Sequence, residues 1–84
     1  MFYTYILYSE NYDRYYIGQT DSLDVRLHKH NSGLVKSTKA YLSWELKYFE
    51  KYKTRSDAMK RERFLKKQRN REFYKRLINS MNEK

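Results

Sequence analysis

Cysteine and proline are absent from this chain, and glycine occurs only twice. Without cysteine no disulfide and no thiolate-bound metal can staple the fold, and the composition suits a reducing compartment. No apolar run approaches the roughly 20 residues that span a bilayer. The start, Met1-Phe2-Tyr3-Thr4-Tyr5, lacks the basic opening and small-residue cleavage site of a signal peptide. A cytoplasmic protein without a membrane partner is the expectation. Repeats, low-complexity stretches and zinc-module spacings are also missing. Acidic residues are few, 10 Asp and Glu against 19 Lys and Arg, for a net charge of +9.

Aromatic residues and positive charge are what the chain does have. Eighty-four residues read as one domain, 1–84, with a tail expected to fray from about residue 80. A chain this short buries only about 60–65% of its unfolded surface, so its core is thin. Ten Tyr, four Phe and one Trp must supply much of it. Each ring buries roughly 150–250 Å², and an enclosed tyrosine hydroxyl needs a partner. The excess of positive charge favours a polyanion, nucleic acid ahead of an anionic membrane surface.

The pattern predicts α+β architecture: a small three-stranded antiparallel sheet with flanking helices, order β-β-α-β-α-α. Phe2–Tyr8 alternates as a strand, with Phe2, Thr4, Ile6 and Tyr8 on one face and Tyr3, Tyr5 and Leu7 on the other. Glu10-Asn11-Tyr12-Asp13 reads as a turn and Arg14–Gln19 as the returning strand. Thr20, Asp21 and Ser22 are N-cap candidates for a helix whose stripe is Leu23, Leu27, His30 and Leu34. Asn31-Ser32-Gly33 ends it, with Gly33 suited to the left-handed C′ position and Leu34 folded back over the end. A basic connection over Lys36–Ser43 leads to a third strand, Trp44–Tyr52. A second helix, capped by Thr54 or Ser56, runs to about Lys67. A third spans Arg71–Met81 with Phe73, Leu77 and Met81 on one face.

Three polar residues stand out against this pattern. Arg26 and His30 lie four apart beside the apolar stripe of the first helix. Arg26 is either a helix arginine with a snorkelling stem or a guanidinium fork aimed at a phosphate. His30 alone reads as a packed residue. Glu62 falls inside an apolar arc set by Ala58, Met59 and Leu65. A carboxylate there is costly unless it is paired, with Arg26 or a tyrosine hydroxyl, or holds a hard divalent cation.

Tyr16-Ile17-Gly18, together with Tyr5, Arg26, His30 and Glu62 in that order, resembles the GIY-YIG nuclease domain over nearly the whole chain. The chain is similar to the short, single-domain bacterial branch of that superfamily. Tyr3-Thr4-Tyr5 stands where Gly-Ile-Tyr is usual. Gln19 stands where some relatives carry a lysine. The resemblance implies a metal-dependent endonuclease that hydrolyses phosphodiester bonds in DNA, ahead of RNA, in repair or recombination. It implies catalytic roles for Tyr5, Tyr16, Arg26, His30 and Glu62. Tyr5 is the first choice for the group that activates water, with Tyr16 or His30 assisting. Tyrosine, with an unperturbed pKa of about 10, is a poor base unless a cation or neighbour helps it. Arg26 would steady the phosphoryl group, and Glu62 would hold one Mg²⁺ or Mn²⁺. Gly18 would let backbone approach closely. Lys36, Lys39, Arg61, Lys66, Lys67 and Arg69 would grip phosphates without reading sequence. With no sequence-reading element in view, a partner protein or a structural feature of the substrate would supply targeting. The alternative is a nucleic-acid-binding module of the same fold with weak or lost turnover, and behind it an interaction domain using its aromatic surface.

Overall fold

The computed structural model describes residues 1–82. Its elements follow the expected order: β1 (Phe2–Ser9), β2 (Arg14–Thr20), α1 (Leu23–Asn31), β3 (Glu45–Tyr52), α2 (Arg55–Gln68) and α3 (Arg71–Asn82). A short 3₁₀ turn, Lys39–Tyr41, interrupts the connection from α1 to β3. The sheet is antiparallel, with β1 in the centre and strand order β2-β1-β3. Helix α3 continues through Asn82, and the last two residues of the expected frayed tail lie outside the described residues. Among the described residues no helix is long and apolar enough to cross a membrane.

Alternation along β1 divides the interior in two. Ile6 joins Ile17, Leu65 and Tyr74 on the face covered by α2 and α3, where Phe73, Leu77 and Ile78 also pack. Tyr5 and Leu7 join Trp44 on the opposite face, with Leu23 and Leu27 of α1 packed against them. A one-residue slip of β1 would exchange the two sets, so burial on both faces fixes the register.

The helix ends follow their local chemistry. Thr54 Oγ1 accepts from the Asp57 N–H at 3.1 Å and starts α2. Asn70 Oδ1 accepts from the Glu72 and Phe73 N–H groups and starts α3, just after Arg69 turns the chain at φ 45°. Ser22 occupies the N-cap of α1 without a side-chain bond; Thr20 Oγ1 instead accepts from the Ser22 N–H at 3.1 Å. Gly33 takes the left-handed conformation, φ 75°, that follows a helix end.

Several expectations need correction. Leu34 does not fold over the helix end; it is 72% exposed, because the chain leaves α1 outward at Gly33. Met59 is also exposed, and the residues that α2 buries are Ala58 and Leu65. Trp44 precedes β3 rather than opening it. Its backbone is clamped by Asn31, whose Oδ1 accepts from the Trp44 N–H at 2.7 Å while its Nδ2 donates to the Trp44 carbonyl at 2.9 Å.

A polar knot ties α2 to β3. Arg61 forks onto Glu50 at 2.9 and 3.1 Å, and the hydroxyls of Tyr48 and Tyr52 donate to the same carboxylate. Burial pushes the Glu50 carboxyl up, but these donors outweigh it and hold its pKa below the ordinary value. The stability Glu50 contributes is therefore complete above pH 4.5, the ordinary value, and is lost as pH falls through its lower folded pKa. Glu50→Gln is expected to destabilise the fold at pH 7 by about 1–3 kcal/mol. Urea titrations across pH should show a shallower acid limb in the variant than in the parent chain.

Candidate active site

The site is organised around one buried phenol. Tyr5 pairs with Gly18 across the β1–β2 ladder and its ring lies over that glycine. A Cβ at position 18 would stand 2.5 Å from Tyr5 Oη and 2.7 Å from Cζ, with Tyr16 Cε2 at 3.2 Å. Gly18 is thus needed for space, since its φ is not positive. Tyr5 is 1% exposed. Its hydroxyl makes a hydrogen bond of 2.9 Å with His30 Nε2, and His30 Nδ1 makes another of 2.8 Å with Thr38 Oγ1. Thr38 Oγ1 in turn donates to the Val35 carbonyl at 3.3 Å. Tyr5, His30 and Thr38 are all buried.

Tyr16 joins this group from β2. Its ring lies edge-on to His30 with centroids 5.0 Å apart, and 6.2 Å from Trp44. It is half-buried, unlike Tyr5. Arg26 comes from α1, and its guanidinium is drawn to the hydroxyls of Tyr5 and then Tyr16, which raise its pKa. Its Nε is buried and has no hydrogen-bond partner among the described residues. The same arginine lines an open cleft of about 290 Å³ that Lys29 and Arg55 also border.

Glu62 approaches from α2, close enough for its charge to act on Tyr5. Its side chain is 18% exposed, so it is neither sealed in the core nor on plain surface, and it pairs with Lys66 at 2.9 Å. The expected partners were Arg26 or a tyrosine. The i, i+4 spacing on one helix favours Lys66 instead. Lys66 Nζ also stands 5.9 Å from the centre of the Tyr16 ring. Side chains from β1, β2 and α1 thus gather, with Glu62 of α2 brought near through Lys66.

Burial shapes the acid–base character of this group. It pushes the Tyr5 phenol up to about 12, against the opposing pull of Arg26. Burial, then the charge of Arg26, lowers His30 to about 4. His30 is accordingly neutral at pH 7, with one ring nitrogen free to accept. Tyr5 is the first choice for activating water only if water can reach it; enclosed and raised in pKa, it cannot fill that role unaided.

The remaining expected positions divide by their partners. Lys36, Lys39, Lys67 and Arg69 are exposed. Arg61 is committed to Glu50 and serves as a strut rather than a free phosphate grip. Gln19 is not without a cation, because Arg55 Nη1 donates to its Oε1 at 3.0 Å. Sequence reasoning passed over Thr38, Asn31, Lys29 and Arg55. The signal for Thr38 was a small polar residue in a basic loop, which spacing alone does not distinguish from its neighbours.

Among the described residues no three His, Asp or Glu side chains cluster as a multidentate metal site. A single carboxylate facing phosphate-binding groups still suits Mg²⁺, which keeps several waters and takes ligands from substrate phosphates. The carboxylate nearest this group is Glu62, half-buried and paired with Lys66.

Two outcomes test this geometry. Gly18→Ala is expected to force Tyr5 off its place and cost about 1–3 kcal/mol, seen as a lower urea midpoint with an unchanged slope. His30 should titrate near 4 in imidazole NMR spectra of the folded chain. Because the unfolded imidazole takes a proton near 6.5, His30 makes stability fall as pH drops from 6.5 towards 4. His30→Gln should remove that part of the slope.

A model of the GIY-YIG catalytic domain matches residues 1–77 of the chain. No curated protein and no solved structure matches it.

Proposed function

The chain belongs to the GIY-YIG catalytic domain family, and from that membership we propose that it is a metal-dependent endonuclease hydrolysing phosphodiester bonds in DNA. The convergence of Tyr5, Tyr16, Arg26, His30 and Glu62 from four different elements supports this reading most directly. An assembly serving only packing would not leave a buried arginine donor unpaired beside an open basic cleft.

Each residue has a role that its surroundings suit. Arg26 receives the scissile phosphoryl group through the part of its guanidinium that borders the open cleft. Lys29 borders the same cleft and adds positive charge for neighbouring phosphates, while Arg55 is paired there with Asp21. Tyr16, the half-buried phenol, faces the attacking water, and Lys66 stands beside its ring. Tyr5 and His30 stand behind, holding Arg26 in place. Glu62 would hold one Mg²⁺ or Mn²⁺, whose charge, when bound, stabilises the leaving 3′ oxygen. Lys66 keeps that carboxylate from standing as an unpaired, half-buried charge. Lys36, Lys39, Lys67 and Arg69 extend the phosphate contacts outward. Cuts of this kind serve repair or recombination, with targeting left to DNA shape or a partner protein in the cytoplasm.

The decisive experiment is cleavage of supercoiled plasmid and branched DNA with Mg²⁺ or Mn²⁺. Nicking is expected, and Arg26→Ala and Glu62→Gln should each lower it about 100-fold or more. DNA binding by Glu62→Gln should persist and weaken steeply with salt. A folded protein that binds DNA but cuts nothing with any divalent metal would overturn the nuclease reading in favour of a binding module.

A further inference from the structure

The connection from α1 to β3 was expected to grip substrate with Lys36 and Lys39, yet Thr38 between them is buried. Thr38 is 0% exposed, as is His30, and Tyr5 is 1% exposed. In such surroundings every polar hydrogen needs an acceptor. That requirement determines which way the hydrogen bonds run.

Two arrangements of protons are possible along Tyr5, His30 and Thr38. In the first, the Tyr5 hydroxyl donates to His30 Nε2, His30 Nδ1–H donates to Thr38 Oγ1, and the Thr38 hydroxyl donates to the Val35 carbonyl. Every donor is then used. The Tyr5 oxygen also keeps its lone pairs free in the positive field of Arg26, whose guanidinium has only donors to offer. In the second, Thr38 donates to Nδ1 and His30 Nε2–H donates to Tyr5. The Tyr5 hydrogen is then left without its one hydrogen-bond acceptor among the described residues. The first arrangement is favoured by one buried hydrogen bond and by the sign of Arg26.

We infer that Thr38 is a positioning residue: its hydroxyl fixes His30 as the Nδ1–H tautomer and, through it, the direction of the Tyr5 hydroxyl beside Arg26. Thr38 touches neither the phosphate nor the attacking water. Its own place is held from two sides. The Trp44 Nε1–H donates to the Thr38 carbonyl at 3.0 Å, and the Thr38 N–H donates to the Val35 carbonyl at 3.1 Å. Asn31, at the end of α1, clamps the backbone of that same tryptophan. The loop is thus braced against the helix that carries His30.

The catalytic consequence rests on the nuclease reading, whereas the tautomer does not. Long-range ¹H–¹⁵N spectra of the folded full-length chain report which ring nitrogen of His30 carries the proton. The expected result is Nδ1–H in the parent chain and in Thr38→Ser, which retains the hydroxyl. Thr38→Val should lose the single Nδ1–H state and broaden or shift the Arg26 Nε–H signal. In cleavage assays kcat should fall about tenfold in Thr38→Val, with KM little changed and Thr38→Ser near the parent. An Nε2–H imidazole in the parent chain overturns the inference even if Thr38→Val fails to fold. An unchanged His30 tautomer in folded Thr38→Val overturns it as well. Absence of cleavage by the parent chain, with the Nδ1–H state intact, would instead count against the nuclease reading alone.

Discussion

A phenol hydroxyl enclosed in the middle of a small sheet is the constraint around which this molecule is arranged. Tyr5 buries its ring on the central strand, where nothing in water can serve its oxygen. Left unpaired, that group would cost about 1–3 kcal/mol, a large share of the 5–15 kcal/mol by which a domain is stable. His30 meets the need with a hydrogen bond of 2.9 Å, and the charge of Arg26 stands nearby. Gly18 gives the ring room, and Thr38 completes the polar chain. Three elements and one loop therefore meet around one oxygen atom. The same demand assembles the groups that a phosphodiester would meet.

The opposite face follows a different rule. There the sheet is held to α2 and α3 mainly by Ile6, Ile17, Leu65 and Tyr74, contacts that are non-directional. Direction comes at the margin, from Glu50 with its arginine and two tyrosines, and from Arg71, which reaches the β1–β2 turn at Asp13. Thr4 Oγ1 adds a bond of 2.7 Å to the Ala58 carbonyl of α2. A thin core is thus supplemented by polar ties at its edges. This suits a chain with many tyrosines and no covalent cross-link.

Much of this was legible in the residues, for identifiable reasons. Alternation in Phe2–Tyr8 gave each face of the central strand correctly, because both faces are buried and the period is strict. The caps at Thr54 and the turn at Gly33 were legible because their chemistry is local. Met59 and Leu34 misled because apolar character at helical spacing does not say how far a neighbouring element extends. Arg61 was read as a free cation because its partner, Glu50, lies on another strand. Lys66 reads as a phosphate grip in the sequence, whereas the i, i+4 spacing pairs it with Glu62 in the fold. Thr38 and Asn31 were silent, since their roles depend on atoms that only the folded loop brings together.

The lone tryptophan gives the molecule a built-in gauge. Trp44 is enclosed, tied through its indole N–H to the loop that braces His30, and set against the ring of Tyr16. Its near-ultraviolet emission therefore originates within one ring's width of the groups that would meet a polyanion, with no competing indole elsewhere in the chain. Occupation of the cleft, rearrangement of the loop and global unfolding would each register as a change in the same fluorescence signal, without any attached label.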